Sequence, residues 1–89
     1  GLINRFGYRM LREEKFPEAI AFFEWNIKTY PNSANVYDSL GEALENQGKV
    51  KKAAECYAKA VKNAEANNSP NVNIFKTNLE RVQKTEKAD

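Results

Sequence analysis

Apolar residues recur along this chain at steps of three and four, and the steps themselves recur. Ile3, Phe6 and Met10 lie at i, i+3 and i+7, the spacing of one helix face rather than the alternation of a strand. The same stripe returns at Tyr37, Leu40 and Leu44. Between the two stripes, Ala19, Ile20, Phe23, Ile27 and Tyr30 mark a second helix. Ala53, Tyr57, Ala60, Val61 and Ala64 mark a fourth, and Val72, Phe75, Leu79 and Val82 a fifth. The pattern predicts an all-α chain of five helices over about residues 2–13, 17–30, 34–47, 50–65 and 70–82.

The punctuation agrees with these elements. Pro17 suits the first turn of a helix, where its missing N–H is not needed. Pro31 drives Tyr30 away from helical backbone and ends the second helix, and Ser33 is placed to cap the third. Gly48 stands where a left-handed residue closes a helix, and Glu14 occupies the matching position earlier in the chain. Asn67-Asn68-Ser69 reads as a loop, with Ser69 as cap and Pro70 as the first residue of the last helix. The charged residues 84–89 are expected to fray.

Shifting the sequence by 34 residues superposes its landmarks. Ile3, Phe6, Gly7 and Met10 fall on Tyr37, Leu40, Gly41 and Leu44, while Phe16, Ala19, Phe23 and Ile27 fall on Val50, Ala53, Tyr57 and Val61. A fixed period of this kind implies stacked copies of one unit, each burying a face against the next. Gly7 and Gly41 sit inside helices, where glycine costs about 1 kcal/mol relative to alanine. Two such costs at equivalent positions predict a close helix crossing.

These residues resemble the tetratricopeptide repeat, a helix-turn-helix whose first helix carries an aromatic, Leu-Gly and a second aromatic, and whose second carries Ala, an aromatic and Ala before a junction proline. The second copy reads Tyr37, Leu40-Gly41, Leu44, Ala53, Tyr57, Ala60; the first reads Ile3, Phe6-Gly7, Met10, Ala19, Phe23, Pro31. The resemblance implies an α-α superhelix of two helix-turn-helix repeats, about 2–33 and 34–66, then a loop at 67–69, a capping helix at 70–83 and the tail at 84–89. Asn26 departs from the family's alanine, and Glu65 replaces the junction proline, so a third full repeat is not expected.

A narrower likeness runs from Phe6-Gly7-Tyr8 through Tyr30-Pro31-Asn32-Ser33 into Asn35-Val36-Tyr37-Asp38-Ser39-Leu40. It resembles short repeat pairs at the C-terminal end of bacterial serine hydrolases, both esterase-like and β-lactamase-like. That likeness, with Gly1 in place of Met, implies a fragment of a larger protein, packing on or orienting an upstream catalytic domain or holding a dimer. The compartment stays open between the cytoplasm and, for an exported parent, the periplasm.

Composition narrows the functional classes. The net charge is +2 with both signs interleaved, so the concentrated basic stripe that nucleic acid needs is missing. No apolar run approaches the ~20 residues of a membrane span. There is no histidine, one cysteine (Cys56) and no phosphate loop or nucleophile elbow, so neither catalysis nor a cofactor or metal is expected of these residues. The expected partner is a protein or peptide, or an upstream domain of the same chain.

In the tetratricopeptide family the first helix of each pair lines the concave face. The resemblance therefore assigns that face to Asn4, Arg5, Tyr8, Leu11 and Arg12 from one copy and Asn35, Asp38, Glu42, Glu45 and Asn46 from the other. The family's carboxylate clamp uses cations where this chain has Asp38 and Ser39, and Glu42 replaces its asparagine. Acidic chaperone tails would be repelled. Two readings of the face stand side by side. Arg5, Arg9 and Arg12 neutralise Asp38, Glu42 and Glu45 across adjacent helices, or Tyr8 and Glu42 grip a basic or aromatic peptide. A second candidate interface is Phe22 with Trp25, three residues apart beside the core stripe of the second helix, offered to an upstream domain or a second subunit.

Overall fold

The structure is a computed structural model that describes residues 8–10 and 12–88. Residues 8–10 and 12 are helical and form the described part of α1. Four further helices follow, α2 (Phe16–Thr29), α3 (Ala34–Asn46), α4 (Val50–Ala66) and α5 (Val72–Ala88). The described residues contain no strand. Each helix packs on the next, α2 on α3, α3 on α4 and α4 on α5, the nearest-neighbour stacking that the repeat predicts.

The apolar stripes meet in two adjoining clusters. Ala19 and Phe23 of α2, Leu40, Ala43 and Leu44 of α3, Ala53 and Tyr57 of α4 and Val82 of α5 form the larger. Ala34, Ala60, Ala64 and Phe75 form the smaller, between α3, α4 and α5. Phe23 and Tyr57 are fully buried, and a side chain of Phe's size contributes roughly 1.5–3 kcal/mol when removed from water. Gly41 explains the close crossing of α3 and α4. A β-carbon there would lie 2.7 Å from Cε1 of Tyr57, well inside contact distance. Gly7, its partner in the repeat, lies outside the described residues, as do Ile3 and Phe6.

The two helix-to-helix turns inside the repeats are built alike. Glu14 has φ 59° and Gly48 φ 85°, so both adopt the left-handed backbone expected of that position. In each turn an amide reaches back five residues, Lys15 N–H to the Met10 carbonyl at 2.8 Å and Lys49 N–H to the Leu44 carbonyl at 2.9 Å. A third left-handed residue, Asn68 (φ 53°), ends α4, and Ser69 N–H bonds the Ala64 carbonyl at 2.9 Å. Asn67 Nδ2 donates to the Asn32 carbonyl at 3.0 Å, tying the end of α4 to the α2–α3 turn.

Several sequence expectations are corrected. Tyr30 is 54% exposed rather than buried. It leaves the helix as its C-terminal cap, with φ −129° and ψ 67°, so its side chain swings off the stripe. Ser33 occupies the cap position of α3, but its side chain makes no cap bond. Ser69 and Pro70 form a turn instead of opening α5: the Ser69 hydroxyl accepts the Asn71 N–H at 3.1 Å, and the helix begins at Val72. At the other end α5 continues through residue 83 to Ala88. Residues 84–88 include neither glycine nor proline, and Thr85 Oγ1 donates to the Arg81 carbonyl at 3.1 Å.

Candidate functional site

The polar residues of α1, α3 and α5 converge on one face. Tyr8 of α1 reaches across to α3, where its hydroxyl lies 3.0 Å from Ser39 Oγ, near enough to the Glu42 carboxylate to influence its charge. Either hydroxyl can be the donor in the Tyr8–Ser39 bond. The Tyr8 ring meets Phe23 edge to face at 5.7 Å between centroids, so the hydroxyl is positioned by the core beneath it.

From the other side α5 contributes Asn78 and Arg81. Asn78 Nδ2 donates to Asp38 Oδ1 at 2.8 Å, and Arg81 Nη1 donates to Asn78 Oδ1 at 2.9 Å. Arg81 also forks onto Glu45, with Nη2 to Oε1 at 2.7 Å and Nε to Oε2 at 2.9 Å. Tyr57 of α4 donates its hydroxyl to the same Oε1 at 2.8 Å. The result is a continuous chain from Asp38 through Asn78, Arg81 and Glu45 to Tyr57, with charge-assisted bonds at its centre.

Electrostatics divides the three carboxylates. The Arg81 fork, with the Tyr57 hydroxyl, holds the Glu45 carboxyl below its usual range. Asp38 and Glu42 go the other way: partial burial raises both, only partly offset by the Asn78 amide at Asp38, the Tyr8 phenol at Glu42 and the charge of Arg81 at each. Each also feels neighbouring carboxylates, Asp38 that of Glu45 and Glu42 those of Asp38 and Glu45. Burial pushes the Tyr8 phenol up to about 12. The face thus holds one neutralised carboxylate and two whose charge is under-compensated. Among the described residues no group of three or more acidic, cysteine or histidine side chains could hold a metal ion, and no helix is long and apolar enough to cross a membrane.

The sequence candidates separate. Tyr8, Asp38, Glu42 and Glu45 come together. Asn35 and Arg12 are exposed and outside this network. Asn46 turns back on its own helix and donates to the Glu42 carbonyl at 2.7 Å. Asn4, Arg5 and Leu11 lie outside the described residues. Of the arginines expected to neutralise this face, Arg9 instead pairs with Glu13 one turn along, Nε to Oε1 at 3.6 Å, and the cation beside Glu45 comes from α5. An arginine at i faces i+4 on its own helix at no cost in reach, which favours the local pair. Tyr57, Asn78 and Arg81 were not foreseen as part of the face. For Asn78 and Arg81 the available signal is their three-residue spacing along one flank of the Phe75–Leu79–Val82 stripe.

The other candidate face behaves differently. Trp25 is 54% exposed, and Phe22 is half-buried against the core with its ring 6.4 Å from the indole. Cys56 is half-buried, and burial pushes its thiol up to about 11, away from reactivity.

Comparison with known proteins bears on the fold. Residues 34–67 match the family model described as tetratricopeptide repeat. The solution structure of a tetratricopeptide repeat domain protein from Salinibacter ruber is similar, with a TM-score of 0.67 and 21% identity over 92% of this chain and 77% of that one. No curated protein matches the chain.

Proposed function

With residues 34–67 a tetratricopeptide repeat and the described chain folded as that family folds, we propose that the protein is a binding module whose face on α1, α3 and α5 takes a cationic segment of a partner protein. The carrying observation is the pair Asp38 and Glu42, two partly buried carboxylates raised by burial and by neighbouring carboxylates, with Arg81 near enough to lessen the effect but hydrogen-bonded to Glu45 and Asn78 instead. A lysine or arginine side chain placed against Glu42 and Tyr8 supplies the missing counter-charge. An acidic tail meets repulsion from the same groups. Binding, rather than catalysis, is the role these groups suit.

The test is fluorescence anisotropy with a labelled lysine- and arginine-rich peptide and an acidic peptide of equal length. The basic peptide is expected to bind with an affinity that falls with salt, and Glu42→Gln or Tyr8→Ala to weaken it. Equal binding of both peptides, or indifference to both substitutions, removes the reading.

The exposed indole supports a second contact. Trp25 and Phe22 offer an apolar edge on α2 suited to docking against a folded surface, such as an upstream hydrolase-like domain of a longer chain. Trp25 emission in the dilute protein is expected at the long wavelength of a wet indole. A blue-shifted emission would mean that the indole is already covered, and would end this reading.

A further inference from the structure

A shallow groove of about 530 Å³ runs between α4 and α5 on a different face from Glu42. Its floor is Ala54 and Ala58 of α4 with Leu79 of α5, and Glu55 and Glu86 stand exposed on its rim, with Lys51 at one side. The internal repeat says what such a groove seats. The shift of 34 residues that maps α2 onto α4 carries Ile20 and Glu24 onto Ala54 and Ala58. On α2 those positions lie beside α4: half-buried Ile20 packs against the cluster that holds Ala53 and Tyr57, and the charge of exposed Glu24 is felt at the Cys56 thiol.

The α3 stripe recurs on α5 at a shift of 35, one residue more than the repeat. Tyr37, Leu40 and Leu44 then correspond to Val72, Phe75 and Leu79. Leu44, beneath α4, is 7% exposed, whereas Leu79 is only half-buried. The groove between α4 and α5 therefore corresponds to the one between α2 and α3, where a helix, α4, packs on α3 with α2 alongside.

We propose that the α4–α5 groove docks an amphipathic helix of a partner protein, with small apolar residues along its seam and lysine or arginine on its flank. The helical form follows from continuity with the α2–α3–α4 interface. The small seam follows from two observations. The floor is alanine-lined, allowing close approach, and Lys76, paired with Glu65 at 3.6 Å, stands where Gly41 admits the ring of Tyr57. A large aromatic in the guest has no equivalent recess. The basic flank follows from the rim, where two carboxylates face one ammonium.

The sequence of α4 supplies a suitable probe, because it is a basic, alanine-rich amphipathic helix. A 17-residue peptide with the sequence Val50–Ala66, acetylated and amidated, would carry Tyr57→Ala and Cys56→Ala. Titrated into the isotope-labelled protein, it is expected to shift the amides of Ala54, Ala58, Leu79 and Gln83 saturably, with Kd of about 1 mM or tighter. Ala58→Glu, on an exposed helix position that tolerates it, is expected to weaken binding at least ~10-fold. The double variant Glu55→Lys, Glu86→Lys is expected to weaken it severalfold at low salt and less at high salt. Shifts centred on Tyr8 and Glu42 instead, or binding unchanged in both variants, overturn the proposal. So does the absence of saturable binding. Self-association of the chain abolished by Ala58→Glu, without peptide binding, assigns the groove to a second copy and overturns the partner helix.

Discussion

Gly41 and Tyr57 occupy the same place in the fold: the ring of the tyrosine lies where a β-carbon of residue 41 would stand, 2.7 Å from it at Cε1. The ring is fully buried and its hydroxyl is held by Glu45 at 2.8 Å, so it cannot slide away without breaking that bond. Gly41→Ala is expected to destabilise the protein by about 1–3 kcal/mol, the scale of an overpacked core, despite alanine's better helix propensity. The urea midpoint should fall; a midpoint equal to or above that of the parent would show that the ring yields freely.

Glu14 adopts the left-handed backbone, at φ 59°, that Gly48 adopts at φ 85°. A side chain in that region costs roughly 1–2 kcal/mol relative to glycine. Glu14→Gly should therefore raise the melting temperature, and Gly48→Ala, with open space around its β-carbon, should lower it by backbone strain alone. If Glu14→Gly leaves the melting temperature unchanged, the turn is not strained by its glutamate.

These turns were legible because the repeat placed a glutamate opposite a glycine, and the helices because apolar period and punctuation agreed. The polar network was legible only in part. Asp38, Glu42 and Glu45 could be assigned to one face of α3, but the periodicity of a helix does not say which neighbour faces it. Arg9 and Arg12 stood close in the repeat pattern, whereas Arg81 lies on a helix outside the two full repeats. The side chain of Tyr30 was misplaced because the stripe was extended through a residue whose backbone the following proline had already turned.

Arg81 is expected to matter through Glu45. Arg81→Gln removes the two-pronged bond and should lower stability at neutral pH by about 1 kcal/mol, an exposed but well-aligned pair. The Glu45 carboxyl lies below its ordinary value of 4.5, so its contribution is present above that value and lost as pH falls through the depressed one. The gap between parent and variant should close in acid. Thermal melts across pH 2–7 measure it, and a gap independent of pH would assign the effect to packing of the arginine stem.

Glu42 has the opposite sign. Its carboxyl is raised above 4.5, so the folded chain binds that proton more readily than the unfolded one, and stability drops as pH rises through the window between the two values. Glu42→Gln removes the titrating group at nearly the same size and escapes that loss. The variant should match the parent near pH 4 and exceed it at pH 7 by on the order of 0.5 kcal/mol. Greater stability together with weaker binding of a basic peptide is the trade-off expected of a group kept for its charge. A variant less stable than the parent at pH 7 would count against the under-compensated carboxylate.

The double attachment at Glu45 also governs how the molecule opens. One carboxylate holds a tyrosine from α4 and an arginine from α5, and Val82, the next residue, is fully buried in the larger core cluster. The first half of α5 therefore cannot lift off by itself. Its amides should exchange with solvent only when the α3–α4 pair unfolds. Residues 83–86 are exposed, lie past that anchor, and are free to open on their own. The boundary between cooperative and local unfolding falls inside a continuous helix, one residue beyond its arginine.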